Sequence, residues 1–436
     1  MTAFSLAAPP AAGAAICLLL IFLAPLAAAG LALINAGLGR SRSAAHTMLA
    51  SLVIFAVAAL AYVVFGFGWQ GFPGRPAHCL VIGGKAWNWI AAEPFFFRGL
   101  RLDDSPASLA ACLQVFSVGV AALIPLGSAA ERWRLRAICI STALFAGWTY
   151  PLFAHWVWGG GWLSQLGANY GLGRGFVDAG GASTIHAAGG LTALALTWIL
   201  GPRRGKFAGG APAAIPGHSA VLVLFGCWLA LLGWLGLNSA GAILFAGVEF
   251  SHLPAIAVNT LLAAGAAALA AACTTRIRFG KPDASLTANG WVGGLVASSA
   301  ACAFVPPASA ILIGALAGAL VPLAVEVLEL HMTTDDPGGA VPAHAVCGIW
   351  GILAVGALGR FPGPENASGQ WVAQLLGVAT LLGFVLPLTY GLNWLVNCFC
   401  TQRAPREGEQ QGMDLCELGA DAYPEFATHL EDSWSR

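Results

Sequence analysis

Two stretches of the chain carry the same arrangement of chemically capable side chains. DAGGASTIH runs from Asp178 to His186, and DPGGAVPAH runs from Asp336 to His344. Each opens on a carboxylate, has a glycine pair two residues on, and closes on an imidazole eight residues after the carboxylate. The chain holds only nine histidines, and two of them fall at the same place in one phrase written twice. A carboxylate near a helix start accepts free backbone N–H groups. An imidazole offers one donor and one acceptor and can pass a proton near neutral pH. Paired across a narrow passage, two imidazoles could bind or relay a small hydrogen-bonding solute. Were they to touch, one ring would serve as donor and the other as acceptor. A metal held by the pair would need a further ligand, and Cys347, three residues after His344, is the nearest one in sequence.

The composition says where these side chains must work. The chain has 436 residues, of which 58% are hydrophobic and 9% are charged. A soluble protein carries about a quarter charged residues, so a soluble enzyme is excluded. Twenty basic and twenty acidic residues cancel. That balance gives no footprint for nucleic acid. Most of the eleven cysteines sit inside apolar runs, where the thiol behaves as a small hydrophobe. Nothing in the sequence calls for a cofactor.

Apolar runs of about 17–25 residues can span a bilayer. Eleven are expected, at roughly 11–36, 46–69, 106–129, 137–158, 178–201, 217–238, 250–273, 284–304, 308–328, 341–359 and 371–400. With the N-terminus outside, the inner segments and tail hold fourteen Lys and Arg and the outer segments hold six. That bias orients the chain N-terminus out and C-terminus in. The expected organisation is a membrane domain over 1–400 and a cytoplasmic tail over 401–436. The outer loop 70–105 is rich in aromatics and is expected to cover the outer mouth or rest on the membrane surface.

This topology explains the repetition. Asp178 opens the fifth span at the outer face, and Asp336 opens the tenth at the inner face. Spans 1–5 (about 11–201) and 6–10 (about 217–359) then read as inverted repeats, followed by a final helix at about 371–400. Eight residues carry each histidine about 12 Å inward. From opposite faces of a core about 30 Å thick, both reach the centre. Ionisable groups at that depth are functional by default. The expected fold is an all-α membrane protein with a pore inside each subunit.

The same residues resemble the ammonium transporter family (Amt/Mep, with the Rhesus proteins as cousins). VDAGGASTIHAAGG and DDPGGAVPAHAVCGIWG resemble its two signatures. AHWVWGGGWL at 154–163, AER at 130–132, GWLGLNSAG at 233–241, FGKP at 279–282 and GMDLCELGADAYP at 412–424 match in order along nearly the whole chain. The resemblance implies that His186 and His344 are the twin pore histidines, that Asp178 organises the outer half of the pore, and that Trp158 walls an outer ammonium recruitment site. It implies transport of ammonium or ammonia, with methylammonium as a second substrate. It also implies a homotrimer in the plasma (inner) membrane, bathed in lipid, with a tail that packs beneath the subunits and meets a PII-type regulator.

The outer pore departs from the family pattern. Ser117 stands where one gating Phe is expected, with Phe116 one residue early, and Leu237 stands for the other, before Asn238. Gly241 replaces a serine of the recruitment site, although Ser239 is near, and Gly339 replaces an acidic residue before His344. These changes leave room for two alternatives: an ammonium sensor on a transporter scaffold, or a channel for another small solute.

Overall fold

A computed structural model of the protein describes residues 11–361 and 367–426. The ends of the expected domain and tail, 1–10 and 427–436, lie outside the described residues. Ten helices among the described residues are long and apolar enough to cross a membrane. They are α1 (Ala12–Leu38), α2 (Ser41–Gln70), α3 (Pro106–Ala129), α4 (Leu135–Val157), α5 (Ala182–Leu200), α6 (Ala220–Ala246), α7 (Phe250–Phe279), α9 (Pro307–Leu330), α10 (Val341–Leu358) and α11 (Gly369–Phe399). Between α7 and α9 lies α8 (Ala284–Ser299), the counterpart of the run expected at 284–304. It has only 16 residues because Ala300 to Phe304 leave the helix in turns. The ends are set locally. The side chains of Ser105, Ser219 and Asp283 accept the N–H groups of Ser108, Leu222 and Leu286, which caps α3, α6 and α8. Gly247 and Gly280 close α6 and α7 in the left-handed conformation.

The all-α expectation needs one correction. The segment 70–105 holds an antiparallel hairpin of β1 (Ala77–Ile82) and β2 (Lys85–Ala91). Gly83 and Gly84 both have positive φ and make the two-residue turn that the twist of paired strands prefers. The hairpin docks on the end of α4, where Trp156 Nε1 donates to the Trp89 carbonyl at 2.8 Å. It marks one end of the bundle, the hairpin side.

The opposite end is the tail side. The short helix α12 (Arg406–Gln411) and the residues after it fold back under the bundle. The buried Glu409 carboxylate pairs with Arg403 at 2.9 Å and accepts the Arg204 N–H at 2.7 Å. The Asp414 carboxylate accepts the N–H groups of Ala45 and His46 at the start of α2. Glu417 accepts the Leu135 N–H at the start of α4 and pairs with His46 at 2.9 Å. Two acidic residues of the tail therefore cap two membrane helices of their own chain.

Behind this clamp, Arg203 is held by Asp335 at 2.9 Å and Glu131 at 2.9 Å, and Glu131 also pairs with Arg40. Burial alone would raise the Asp335 carboxyl, but the bonds from Arg203 and the Arg132 charge hold it below the ordinary carboxylate range. Burial pushes the fully enclosed Arg132 guanidinium down to about 10.

The helices α5 and α10 run in opposite directions through the centre. α5 starts on the hairpin side and ends at Gly201, whose carbonyl is held by Arg132 on the tail side. α10 starts on the tail side, where the Gly338 N–H bonds the Gly127 carbonyl at the end of α3. The two cross in close contact at Gly348: a Cβ there would lie 2.6 Å from the Ala182 carbonyl oxygen.

Candidate functional site

The first turn of α5 and the first turn of α10 are both π-helical, over Ala182–Ala187 and Val341–Val346. Each contains the histidine of its phrase. A π turn displaces one side chain from the regular ladder; others occur at Tyr62–Gly66, Phe145–Thr149, Leu381–Val385 and Asp414–Leu418, so it is the histidines that single out these two. The carboxylate eight residues earlier holds each turn. Asp178 accepts the N–H groups of Gly181, Ala182 and Ser183 at 2.8–2.9 Å, and the Ser183 hydroxyl at 2.5 Å. Asp336 accepts the N–H groups of Ala340 and Val341 at 3.1 and 2.8 Å and the Ser128 hydroxyl at 2.7 Å. Both carboxylates thus spend their capacity on helix starts.

The two imidazoles come together inside one chain. The ring centroids of His186 and His344 are 5.4 Å apart, with the planes at 33°. They make no hydrogen bond to each other, so the donor–acceptor pairing open to touching rings is not formed. A third ring joins them. The Trp234 indole of α6 lies flat on His186, 4.8 Å between centroids and 8° between planes. Sequence reasoning missed Trp234, although it lies in GWLGLNSAG, three residues before the expected gate position Leu237. Four buried nitrogens in this cluster lack a hydrogen-bond partner: both of His186, Nδ1 of His344 and Nε1 of Trp234. Buried polar atoms are nearly always paired, so four unpaired ones in a single cluster set it apart from the packed core around it. The Cys347 thiol points elsewhere, toward the Ala317 carbonyl at 3.7 Å.

On the hairpin side, Trp158 Nε1 donates to the Asp178 carbonyl at 2.7 Å, and its ring stacks on Phe245 at 4.5 Å and 10°. The resemblance implied Trp158 alone; its partner at the end of α6 was not foreseen. Leu237 and Ser117 are buried, whereas Phe116 is half-buried and packs beside Phe55 of α2. Asn238 donates to Thr260 at 3.0 Å and leaves its amide oxygen unpaired against Gly180. Ser239 is buried. At Gly241 a Cβ would lie 2.5 Å from the Ala179 carbonyl oxygen. Glycine there is a condition of the close approach of α6 to the Asp178 segment, so a serine would not fit without moving backbone.

The family model described as Ammonium Transporter Family matches residues 14–423. The chain belongs to the ammonium transporter family. It is 36% identical to the ammonium transporter Amt2 of Archaeoglobus fulgidus, over 93% of this chain and 86% of that protein. It is 32% identical to the ammonium transporter of Bacillus subtilis, over 90% of this chain and 94% of that one. Among solved structures it resembles the one titled Sensor Amt Protein, with a TM-score of 0.83 and 26% identity over 93% of this chain and 97% of that chain. As a member of the ammonium transporter family, the protein is a multi-pass membrane protein of a transporter and channel family and not an enzyme.

Proposed function

We propose that the protein recruits ammonium on the hairpin side, moves its proton to water or to the imidazole pair, and conducts ammonia between His186 and His344 to the tail side. The observation that carries this reading is the cluster of four unpaired buried nitrogens around the His186, His344 and Trp234 rings. A bare cation in hydrocarbon is costly, whereas neutral ammonia is small and can cross a narrow apolar tube. The rings of Trp158 and Phe245 supply π density for the cation before it loses its proton. The unpaired amide oxygen of Asn238 adds an acceptor beside Gly180. Potassium has no proton to give up, so the same passage rejects it.

The wider reading follows the resemblance. Eleven spans, counting the short α8, form two inverted five-helix repeats plus a final helix, with Asp178 and Asp336 as counterparts. The hairpin side is outside and the tail side is cytoplasmic, in keeping with the excess of Lys and Arg on the tail side. Three copies form a homotrimer in the plasma membrane, and the tail is where a PII-type regulator docks.

A second reading is that of an ammonium sensor. The likeness to the structure titled Sensor Amt Protein favours it, together with Ser117 and Leu237 at the gate. One experiment separates the two. Purified protein in proteoliposomes is given labelled methylammonium, and ammonium-evoked current is recorded. Transport predicts saturable uptake above empty liposomes. Ammonium binding without flux would replace transport with sensing.

A further inference from the structure

α2 and α4 lie side by side, and each interrupts its regular winding with a π turn, at Tyr62–Gly66 and at Phe145–Thr149. The two turns touch: a Cβ at Gly66 would lie 2.7 Å from the Ala146 carbonyl oxygen. Beside that contact the helices part. An open groove of about 680 Å³ runs between them, lined by Ala61 and Phe65 of α2 and by Ile140 and Gly147 of α4. No charged side chain lines it. A Cβ at Gly147 would meet nothing closer than 3.9 Å, so the glycine opens on the groove. Trp69 and Trp148 stand at its hairpin-side end, edge to face at 5.4 Å. Indoles favour the membrane–water boundary.

The segment after the hairpin packs onto this end. The Phe96 N–H donates to the Val64 carbonyl in the π turn of α2 at 3.2 Å. Phe95 packs edge to face on Phe65 at 5.5 Å and on Trp69 at 5.1 Å. The Arg98 guanidinium lies over the Phe96 ring at 5.8 Å. Arg98 is exposed and makes no ion pair among the described residues. Glu93 of the same segment is spent on Arg75 at 2.8 Å. The apolar groove therefore leads, at the boundary, to an unpaired cation.

From Cys139 to Trp148 the groove follows about 13 Å of α4. A helix of that length is about 10–12 Å across with its side chains and takes about 1,000–1,500 Å³, more than the groove holds. A single hydrocarbon chain fits. We propose that the groove between α2 and α4 binds one phospholipid of the hairpin-side leaflet, with an acyl chain lying over Gly147 and an anionic headgroup held by Arg98. A guanidinium suits the phosphate oxygens, which it can bind in pairs. The proposal rests on α2 and α4 spanning the membrane and is independent of the transport reading.

The test is native mass spectrometry of the full-length protein in detergent, titrated with phosphatidylglycerol or with phosphatidylcholine. The wild type should bind the anionic lipid more tightly. Gly147→Leu fills the groove and should abolish the tightest binding step for both lipids. Ala61→Leu blocks the same groove from α2 should Gly147→Leu fail to assemble. Arg98→Gln should keep that step but lower the preference for phosphatidylglycerol by about fivefold, the effect of one basic residue at a lipid surface. Unchanged binding in a groove-filling variant that assembles overturns the site, and an unchanged preference in Arg98→Gln overturns the headgroup contact. If Gly147→Leu alters the number of chains per particle and leaves lipid binding unchanged, the groove is a seam between copies and the lipid is wrong.

Discussion

The imidazole of His186 lies flat against the indole of Trp234, with 4.8 Å between centroids and 8° between planes. One face of the histidine is therefore covered, while His344 lies 5.4 Å away and both His186 nitrogens stay unpaired. Trp234 fixes the ring by area and not by a hydrogen bond. Trp234→Phe keeps a flat partner and should retain most ammonium-evoked current. Trp234→Ala should lose most of it and should destabilise the protein by about 3–5 kcal/mol through the cavity it leaves. Current and thermal unfolding in detergent, measured on the same preparations, check both halves. Full current in Trp234→Ala would remove the stack from the mechanism.

His186 and His344 should act as a unit. With centroids 5.4 Å apart and unpaired nitrogens on both, each shapes what the other can bind. His186→Ala, His344→Ala and the double variant form a cycle on flux and on current. The coupling should reach about 0.5–3 kcal/mol, the range for residues sharing one site. Simple addition would mean two independent roles. Paired Cys at 186 and 344 should cross-link within one chain.

The hairpin-side departures separate into two kinds. Leu237→Phe enlarges a packed side chain and should cost about 1–3 kcal/mol while lowering the half-saturating ammonium concentration. Gly241→Ser puts a Cβ 2.5 Å from the Ala179 carbonyl oxygen. It should lower the yield of folded protein without improving affinity. A titration of ammonium uptake for the two single variants checks this, and tighter affinity in well-folded Gly241→Ser would show that the backbone yields there.

The Asp335–Arg203 pair should appear in acid. The Asp335 carboxyl sits below its ordinary value, so its contribution is complete above the unfolded-state value near about 4 and is lost as pH falls through the folded-state one. Asp335→Asn leaves two buried guanidinium groups short of a partner and should cost about 3–5 kcal/mol at neutral pH. The gap between wild type and variant should stay constant from pH 8 to about 5 and shrink below about 4. Melting curves across that range check it. A gap that instead closes between pH 8 and 6 would point to another group.

How much of this could be read from the chain varies by element. The membrane helices were legible because apolar length is written directly into sequence. The paired phrases located both histidines, whose rings lie 5.4 Å apart within one chain. The π turns were not legible, since one extra residue in a helical turn has no compositional signature. Trp234 was hidden because a Trp inside an apolar span reads as packing until its neighbour is known. The hairpin did leave a sign, in Gly83–Gly84 between two β-prone runs, which the expectation of an all-helical membrane fold overrode. The need for glycine at 241 depends on the distance between segments about sixty residues apart, and no local pattern records that.

The caps supplied by Asp414 and Glu417 set an order of events during synthesis. The N–H groups at the start of α2 wait for a carboxylate 368 residues later in the chain, and that of Leu135 waits for one 282 residues later. A ribosome makes α2 and α4 well before it delivers these partners. Until then the two helix starts on the tail side lack these carboxylate caps. The stretch from Asp414 to Glu417 thus fastens two helix starts made long before it.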